Sequence, residues 1–183
     1  MNKKELRAEI KEKINSLDKN YIDSASKEIQ EKLILLPLFK EASSVFVYMS
    51  TENEPDTSLV IKEALKERKK VYVPKCISKG VMVAVRIDET TVFKSGYMNI
   101  PEPENVIAEE NIKIDLAVLP CVSADFKGNR LGHGAGFYDR FLEKTKSARV
   151  CLCFEKLVSP EIPTEEHDIK ADVLITEKTV LIF

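Results

Sequence analysis

Hydrophobic residues recur with a helical period at the start of the chain and then give way to short apolar runs. Leu6, Ile10 and Ile14 are each four positions apart, which predicts an amphipathic helix. The same spacing predicts a second helix from about Tyr21 to Leu36, and Pro37 is expected to end it. The chain should therefore begin with a pair of helices.

Short runs rich in β-branched and aromatic residues then alternate with helical patterns, which predicts an α/β fold. We expect a single domain over residues 1–183, with a mostly parallel central sheet flanked by helices and the helical pair at its N-terminus. Residues 78–80 could join two strands as a hairpin. Residues 88–113 are expected to be rich in loops, with Pro101 and Pro103 excluding regular structure there. The predicted strands are 44–50, 71–74, 81–86, 115–120, 148–154 and 171–177, and the later helices are 58–70 and 137–147.

The order of these elements places two polar loops at one edge of the sheet. Residues 51–57 follow the first strand, and residues 128–140 follow the apolar strand that ends at Pro120. Ligands of parallel sheets bind outside the carboxyl ends of the strands. We therefore expect these two loops to lie near one another and to form the binding site.

Composition narrows the classes of partner. The 183 residues carry a net charge of −2 and a pI near 5.9, which argues against a nucleic-acid-binding surface. No apolar run reaches the roughly 18 residues that a membrane helix needs, and the polar N-terminus lacks the core of a signal peptide. We expect a cytoplasmic protein without a membrane partner and favour a monomer, although the sequence does not determine the oligomeric state.

The stretch GNRLGHGAGFYDR, residues 128–140, concentrates the chain's glycine. Four of the six glycines lie between Gly128 and Gly136, and the others are isolated at Gly80 and Gly96. Glycine lets backbone N–H groups approach an anion closely, and Arg130 adds a planar fork of donors suited to phosphate. A carboxylate nearby could hold Mg²⁺. These are the components of a nucleotide-phosphate site, although a tight turn that only packs would need the same glycines.

The common phosphate-binding motifs do not account for this stretch. The chain contains no Gly-Lys-Ser or Gly-Lys-Thr sequence, which excludes a P-loop. The glycine spacing also misses the dinucleotide-binding fingerprint by one position.

The combination of residues is more specific than either motif. Residues 130–140 match R-L-G-x-G-x-G-[YF]-Y-D-R, and the chain resembles the 5-formyltetrahydrofolate cyclo-ligase family, also called methenyltetrahydrofolate synthetases. The resemblance extends over nearly the whole chain. Its further elements are KKELR at 3–7, YMSTENEPDT at 48–57, NIPEP at 99–103 and HDIKADVLIT at 167–176.

The resemblance implies an ATP- and Mg²⁺-dependent enzyme that converts 5-formyltetrahydrofolate into 5,10-methenyltetrahydrofolate, ADP and phosphate. By the same resemblance, Arg130 and Tyr138 are catalytic, Asp139 and Asp168 hold Mg²⁺, and Met49, Glu54 and Phe137 contact the folate. The residues that it assigns to ATP are Lys3, Lys4, Arg7, Arg130, Leu131, Gly132, His133, Gly134, Ala135, Gly136, Phe137 and Tyr138.

Each assignment has a structural alternative. Lys3, Lys4 and Arg7 could form a solvated helix face, Glu54 could be a loop acid, and Asp139 could stabilise a helix N-terminus. Some members of the family carry Lys at the position of Ala135, and the segment PCVSAD at 120–125 also departs from the usual pattern. These departures favour a non-catalytic folate- or nucleotide-binding protein as the second interpretation. A sugar-phosphate isomerase, working without ATP, is the third.

Overall fold

The computed structural model of the protein describes residues 1–78, 80–96, 99–104 and 112–183. The helices are α1 (Lys3–Asn15), α2 (Lys19–Leu35), α3 (Pro37–Glu41), α4 (Ser58–Lys66) and α5 (Phe137–Leu142). The strands are β1 (Ser44–Val47), β2 (Lys70–Ser78), β3 (Val81–Ile87), β4 (Phe93–Ser95), β5 (Pro101–Pro103), β6 (Leu116–Leu119), β7 (Ser123–Ala124), β8 (Arg130–Leu131), β9 (Ala148–Leu152), β10 (Val173–Ile175) and β11 (Val180–Ile182).

Seven strands form the central sheet in the order β11-β10-β9-β6-β1-β2-β3. The five inner strands are parallel, and β11 and β3 pair with them antiparallel at the two edges. Strands β1 and β6 are buried at every position, which explains their continuous apolar sequence. The predicted α/β class and the β2–β3 hairpin are confirmed; the hairpin residue Lys79 lies outside the described residues. The domain bounds 1–183 stay a prediction.

Successive side chains of β1 pack on opposite faces of the sheet. Val45 and Val47 join the core cluster that includes residues of helices α1 to α4, whereas Phe46 joins a second cluster with residues of α5. The Phe46 ring stacks on Phe141 with their centroids 4.6 Å apart. Helix α5 is thus held against the face of the sheet opposite to the N-terminal helices.

Several boundaries differ from the predicted ones for local reasons. Pro37 does not merely follow α2; it occupies the first turn of α3, where the missing N–H of proline costs no helical bond. Helix α5 ends at Leu142 rather than near residue 147, because the N–H groups of Lys144 and Thr145 bond three residues back, to Phe141 and Leu142.

The prediction that Pro101 and Pro103 exclude regular structure was wrong, because both lie in β5. Strands β4 and β5 form an antiparallel ribbon with Lys94 opposite Glu102. In this ribbon the residues in and beside β5 that hydrogen-bond across to β4 and its flanking residues are Ile100, Glu102 and Glu104. Pro101 and Pro103 alternate with them, so their nitrogens face away from β4 and no hydrogen bond is lost. Residues 105–111 of the segment lie outside the described residues.

Candidate functional site

A cavity of about 510 Å³ lies beside the N-terminus of α1 and the glycine-rich loop. Pro120, directly after β6, lies in its wall, in agreement with the polarity of a parallel sheet. The lining residues come from α1, β2, β3, β5, the loop 130–139 and the segment 165–168. They are Asn2, Lys3, Lys4, Arg7, Pro74, Cys76, Met82, Ile100, Glu102, Pro120, Arg130, Leu131, Gly132, His133, Gly134, Ala135, Gly136, Phe137, Tyr138, Asp139, Glu165, His167 and Asp168.

A small hairpin, β7–β8, delivers Arg130 to the cavity. The buried Asp125 in its turn accepts bonds from the N–H groups of Lys127, Asn129 and Ile162 at 2.9–3.0 Å, and from the Asn129 side chain at 2.9 Å. Burial alone would raise the pKa of Asp125, but these bonds to its ionised form lower it. Asp125 therefore fixes the turn and ties it to the segment at Ile162.

The first glycine of the stretch belongs to this turn rather than to the cavity wall. Gly128 has a φ of +82°, and a Cβ there would lie 3.0 Å from the carbonyl oxygen of Ala171. The alternative that the glycines only allow a tight, packed turn is thus correct for Gly128. By contrast, Gly132, Gly134 and Gly136 line the cavity.

Arg130 is buried in the cavity wall with part of its donor capacity unused. Its side chain is 3% exposed, and its Nη2 donates to Oδ1 of Asp139 at 2.6 Å. Its Nε is buried and has no partner among the described residues. A buried guanidinium normally satisfies its N–H groups, so the unpaired Nε is an unusual feature of this wall, and a ligand acceptor would have to displace the atoms that cover it.

The predicted basic residues of α1 do face the loop. Asn2 caps the helix in a capping box with Glu5, which fixes the start of α1 at the cavity. Arg7 donates from Nε to the carbonyl of Gly132 at 2.8 Å. A Cβ on Gly134, whose φ is +95°, would lie 3.2 Å from the Arg7 Cζ, so the guanidinium rests on the loop.

Lys3 bridges two acidic residues of the segment 165–168. Its Nζ lies 2.8 and 2.6 Å from the two carboxylate oxygens of Asp168 and 2.8 Å from Oε2 of Glu165. Burial opposes the charge of each of Lys3 and Asp168, yet their mutual bonds and charges prevail, so the pKa of Lys3 is raised and that of Asp168 lowered. Together with His167, the two acids offer ligand atoms within 4.8 Å of one another.

The two predicted metal ligands are each paired with a cation. Asp168 binds Lys3, and Asp139 binds Arg130. Asp139 Oδ1 also accepts from the N–H of Ile169 at 3.4 Å, so the structure brings the loop to the residue that follows Asp168.

The loop at 51–57 meets the glycine-rich loop as predicted, through Glu54 and His133. The His133 Nε2 lies 3.2 Å from Oε1 of Glu54. Burial would raise the pKa of Glu54, but bonds from His133 and Thr51 lower it. Met49 instead packs against the core cluster of the N-terminal helices, and neither Met49 nor Glu54 lines the cavity. Their assigned contacts with folate stay predictions.

Phe137 and Tyr138 form the aromatic part of the cavity wall. The Tyr138 ring meets Phe46 edge to face at 6.4 Å, and its hydroxyl makes no hydrogen bond within the described part of the chain. Burial and the nearby charge of Glu54 raise the pKa of Tyr138, so its hydroxyl stays protonated and able to donate.

The sequence model of the 5-formyltetrahydrofolate cyclo-ligase family matches residues 1–177. The chain belongs to this family. A family member from Schizosaccharomyces pombe, named as a probable 5-formyltetrahydrofolate cyclo-ligase, is 31% identical over 99% of this chain and 98% of its own length. A cyclo-ligase from Mus musculus is 29% identical over 96% and 93% of the two chains.

A solved member of the cyclo-ligase family has the same fold. The 5,10-methenyltetrahydrofolate synthetase of Aquifex aeolicus superposes with a TM-score of 0.86 at 31% identity, covering all of this chain and 93% of the other. The chain is therefore an enzyme of the cyclo-ligase family, and the resemblance inferred from its motifs is confirmed.

Sequence reasoning about the cyclo-ligase site missed several residues. Arg140, to which no role was assigned, donates to the carbonyls of Gly80 and Ala135 and so joins the β2–β3 hairpin to the glycine-rich loop. Glu165 and Glu102 also line the cavity. The sequence signals that could have indicated them are the closeness of Glu165 to Asp168 and the place of Glu102 within the NIPEP element.

No helix in the described part of the chain is long and apolar enough to cross a membrane. The cytoplasmic location and the monomeric state expected for this member of the cyclo-ligase family stay predictions.

Proposed function

We propose that the protein uses ATP and Mg²⁺ to close 5-formyltetrahydrofolate into 5,10-methenyltetrahydrofolate, with release of ADP and phosphate. The observation that carries the proposal is the buried Arg130, a guanidinium of the glycine-rich cavity wall whose Nε has no partner among the described residues. A phosphate oxygen is the acceptor that its charge and donor geometry favour.

The surrounding residues supply further groups for phosphates. Gly132, Gly134 and Gly136 leave the backbone accessible, and Lys4 lines the cavity without an ion pair to any residue that the structure describes. Arg7 adds a second guanidinium, which its bond to Gly132 holds against the loop. Phosphoryl transfer depends mainly on this kind of positioning and charge neutralisation.

The donor set also fits a magnesium ion. Glu165 and Asp168 offer the carboxylate oxygens that Mg²⁺ prefers, and their ligand atoms lie within 4.8 Å of each other and of His167. Asp139 is outside this group, but its Oδ1 contacts the N–H of Ile169, which follows Asp168. Asp139 and Asp168 would hold the ion once Lys3 and Arg130 turn to the phosphates. The ion would neutralise phosphate charge during the transfer.

The chemistry requires the formyl oxygen to become a leaving group. In the proposed reaction this oxygen attacks the γ-phosphorus of ATP, and the bond from that phosphorus to the ADP oxygen breaks. N10 of the folate then attacks the formyl carbon, phosphate leaves with the former formyl oxygen, and N10 loses its proton. Arg130 would neutralise the transferred phosphoryl group, while Tyr138, kept protonated, would donate a hydrogen bond and pack with Phe137 against a ring.

The direct test is the near-ultraviolet absorbance of methenyltetrahydrofolate, recorded with purified protein, 5-formyltetrahydrofolate and Mg²⁺, with and without ATP. We expect product only when ATP is present. The absence of product at high enzyme concentration would refute the proposal. Calorimetric binding of folate or ATP without turnover would then support the non-catalytic binding protein that Ala135 and the segment at 120–125 favour.

A further inference from the structure

A buried carboxylate, Glu102, lies in a part of the cavity wall remote in sequence from the phosphate-binding loop. It stands in the middle of β5, is 7% exposed, and lines the cavity beside Cys76 of β2, Met82 of β3 and Ile100. Acidic side chains are almost never so buried unless they are paired.

Glu102 has few partners for its charge. Its Oε1 accepts from the backbone N–H of Cys76 at 3.1 Å. Burial and the neighbouring Glu102 carboxylate raise the pKa of the Cys76 thiol, so the thiol is a neutral neighbour at physiological pH. No Lys, Arg or His of the described residues forms an ion pair with Glu102, and Lys94, opposite it in the ribbon, is exposed.

An isolated glycine, Gly96, leaves the space that this carboxylate occupies. A Cβ on Gly96 would lie 2.3 Å from Cδ and 2.5 Å from Oε2 of Glu102, so any side chain there would displace the carboxylate. The close approach explains why one of the few glycines outside the glycine-rich stretch occurs at Gly96. The ribbon β4–β5 therefore leaves space at Gly96 for the Glu102 carboxylate, which the backbone N–H of Cys76 binds.

The unused acceptor capacity of Glu102 indicates what its ligand must offer. A carboxylate has about four lone-pair sites, and the backbone N–H and the thiol of Cys76 occupy at most two of them. The wall around it contains the apolar or aromatic Met82, Ile100 and Phe137, which suit a planar ring. The complement to this wall is a flat ring with two adjacent N–H donors on one edge.

Given the proposed function, we infer that Glu102 is a specificity-determining residue that accepts hydrogen bonds from the ring N–H and amino group of the substrate's pterin. The pterin presents these two donors side by side, in the parallel arrangement that a carboxylate accepts. The adenine of ATP has one amino donor beside a ring nitrogen that is itself an acceptor, and a carboxylate would repel that nitrogen. Glu102 therefore favours the folate over the nucleotide.

The test compares Glu102→Leu and Glu102→Gln with Glu104→Gln, a matched change at an exposed acid two residues away. Calorimetry would give the affinity for 5-formyltetrahydrofolate without ATP, and steady-state assays would give both KM values. We expect Glu102→Leu to weaken folate binding about 100-fold and Glu102→Gln about 10-fold, with the KM for ATP within about twofold of wild type. Glu104→Gln should behave as wild type.

A folate analogue that carries methyl in place of the pterin amino group adds a second measurement. It should bind wild type about 10-fold or more weakly than the parent folate, whereas Glu102→Leu should no longer distinguish the two. Circular dichroism and urea unfolding would establish that the variants fold, and Glu102→Gln preserves the shape of the side chain if Glu102→Leu does not.

The outcomes separate this inference from the proposed function. Unchanged folate affinity in a folded Glu102→Leu, or a selective rise in the KM for ATP, would overturn the role of Glu102. A wild-type protein that binds folate through Glu102 but forms no methenyltetrahydrofolate would refute only the proposed reaction. A wild-type protein that binds no folate would overturn both.

Discussion

Arg130 should be more important for binding ATP than for the stability of the folded chain. Its guanidinium is buried, and its ion pair with Asp139 is opposed by the cost of the unpartnered Nε. An unsatisfied buried donor costs about 1–3 kcal/mol, while an ion pair with a partly exposed partner returns about 1 kcal/mol. The two contributions nearly cancel in the ligand-free protein.

The informative substitution is Arg130→Lys, which keeps the charge and can reach Asp139 but removes the Nε donor. If a phosphate oxygen accepts from Nε, the loss of that charge-assisted bond costs about 1.5–3 kcal/mol, or about a 10- to 150-fold loss of ATP affinity. The free energy of unfolding should change by less than about 1 kcal/mol, because the variant keeps an ion pair with Asp139 and loses an unsatisfied donor.

Calorimetric titration with Mg-ATP and urea unfolding would measure the two quantities. The matched control is Arg149→Lys, since Arg149 also pairs with an aspartate, Asp172, at 2.7 and 2.9 Å but does not line the cavity. This control should leave ATP affinity unchanged. Binding of ATP by Arg130→Lys within about twofold of wild type, or an equal loss in Arg149→Lys, would refute the reasoning.

Three further substitutions test other parts of the site. Gly134→Ala, at a φ of +95°, should cost about 1–2 kcal/mol of loop strain and raise the KM for ATP about 10-fold, whereas Ala135→Gly should not raise it. Asp125→Ala should lower the free energy of unfolding by about 2–4 kcal/mol in urea titrations, because the N–H of Ile162 and others lose their acceptor. The pKa of Asp125 in the folded protein is below its ordinary 3.8, so the stability that the Asp125 carboxylate contributes is complete above pH 3.8 and is lost as the pH falls through the lowered pKa. If Asp125→Ala and the wild type unfolded with the same dependence on acid pH, this reasoning would be contradicted. Asp168→Asn should abolish most of the difference between ATP affinities measured with Mg²⁺ and with a chelator, and a full wild-type difference would count against a metal role.

The sequence predicted the elements whose pattern is local. The apolar runs of β1 and β6 could belong only to buried strands, and their order placed the loops of Glu54 and His133 together, as the 3.2 Å contact confirms. The β4–β5 ribbon was missed because we took proline to exclude any strand. A proline removes a hydrogen bond between strands only where its nitrogen would face the neighbouring strand.

Contacts over long sequence separations could not be predicted from the residues involved. Lys3 and Asp168 are 165 positions apart, and nothing in either segment shows that the ammonium lies between Asp168 and Glu165. Glu102 was equally hidden, because its burial depends on how the ribbon packs on β2 and on the open space at Gly96. Family resemblance indicated Lys3, Asp168 and Arg130 among the residues of the cavity wall, but only the folded chain shows how they pair.

This pairing has a consequence for the proposed binding of Mg-ATP. In the ligand-free protein the two expected phosphate-binding cations, Lys3 and Arg130, neutralise the two expected metal ligands, Asp168 and Asp139. These four charges are therefore paired within the folded chain, which lowers the repulsion between like charges at the site. When phosphate and Mg²⁺ arrive together, each existing ion pair can exchange for two new ones, cation to phosphate and carboxylate to metal. Phosphate alone would leave the carboxylates unpaired and Mg²⁺ alone would leave the cations unpaired, so in the proposed function the arrangement would favour the complex of the two over either component.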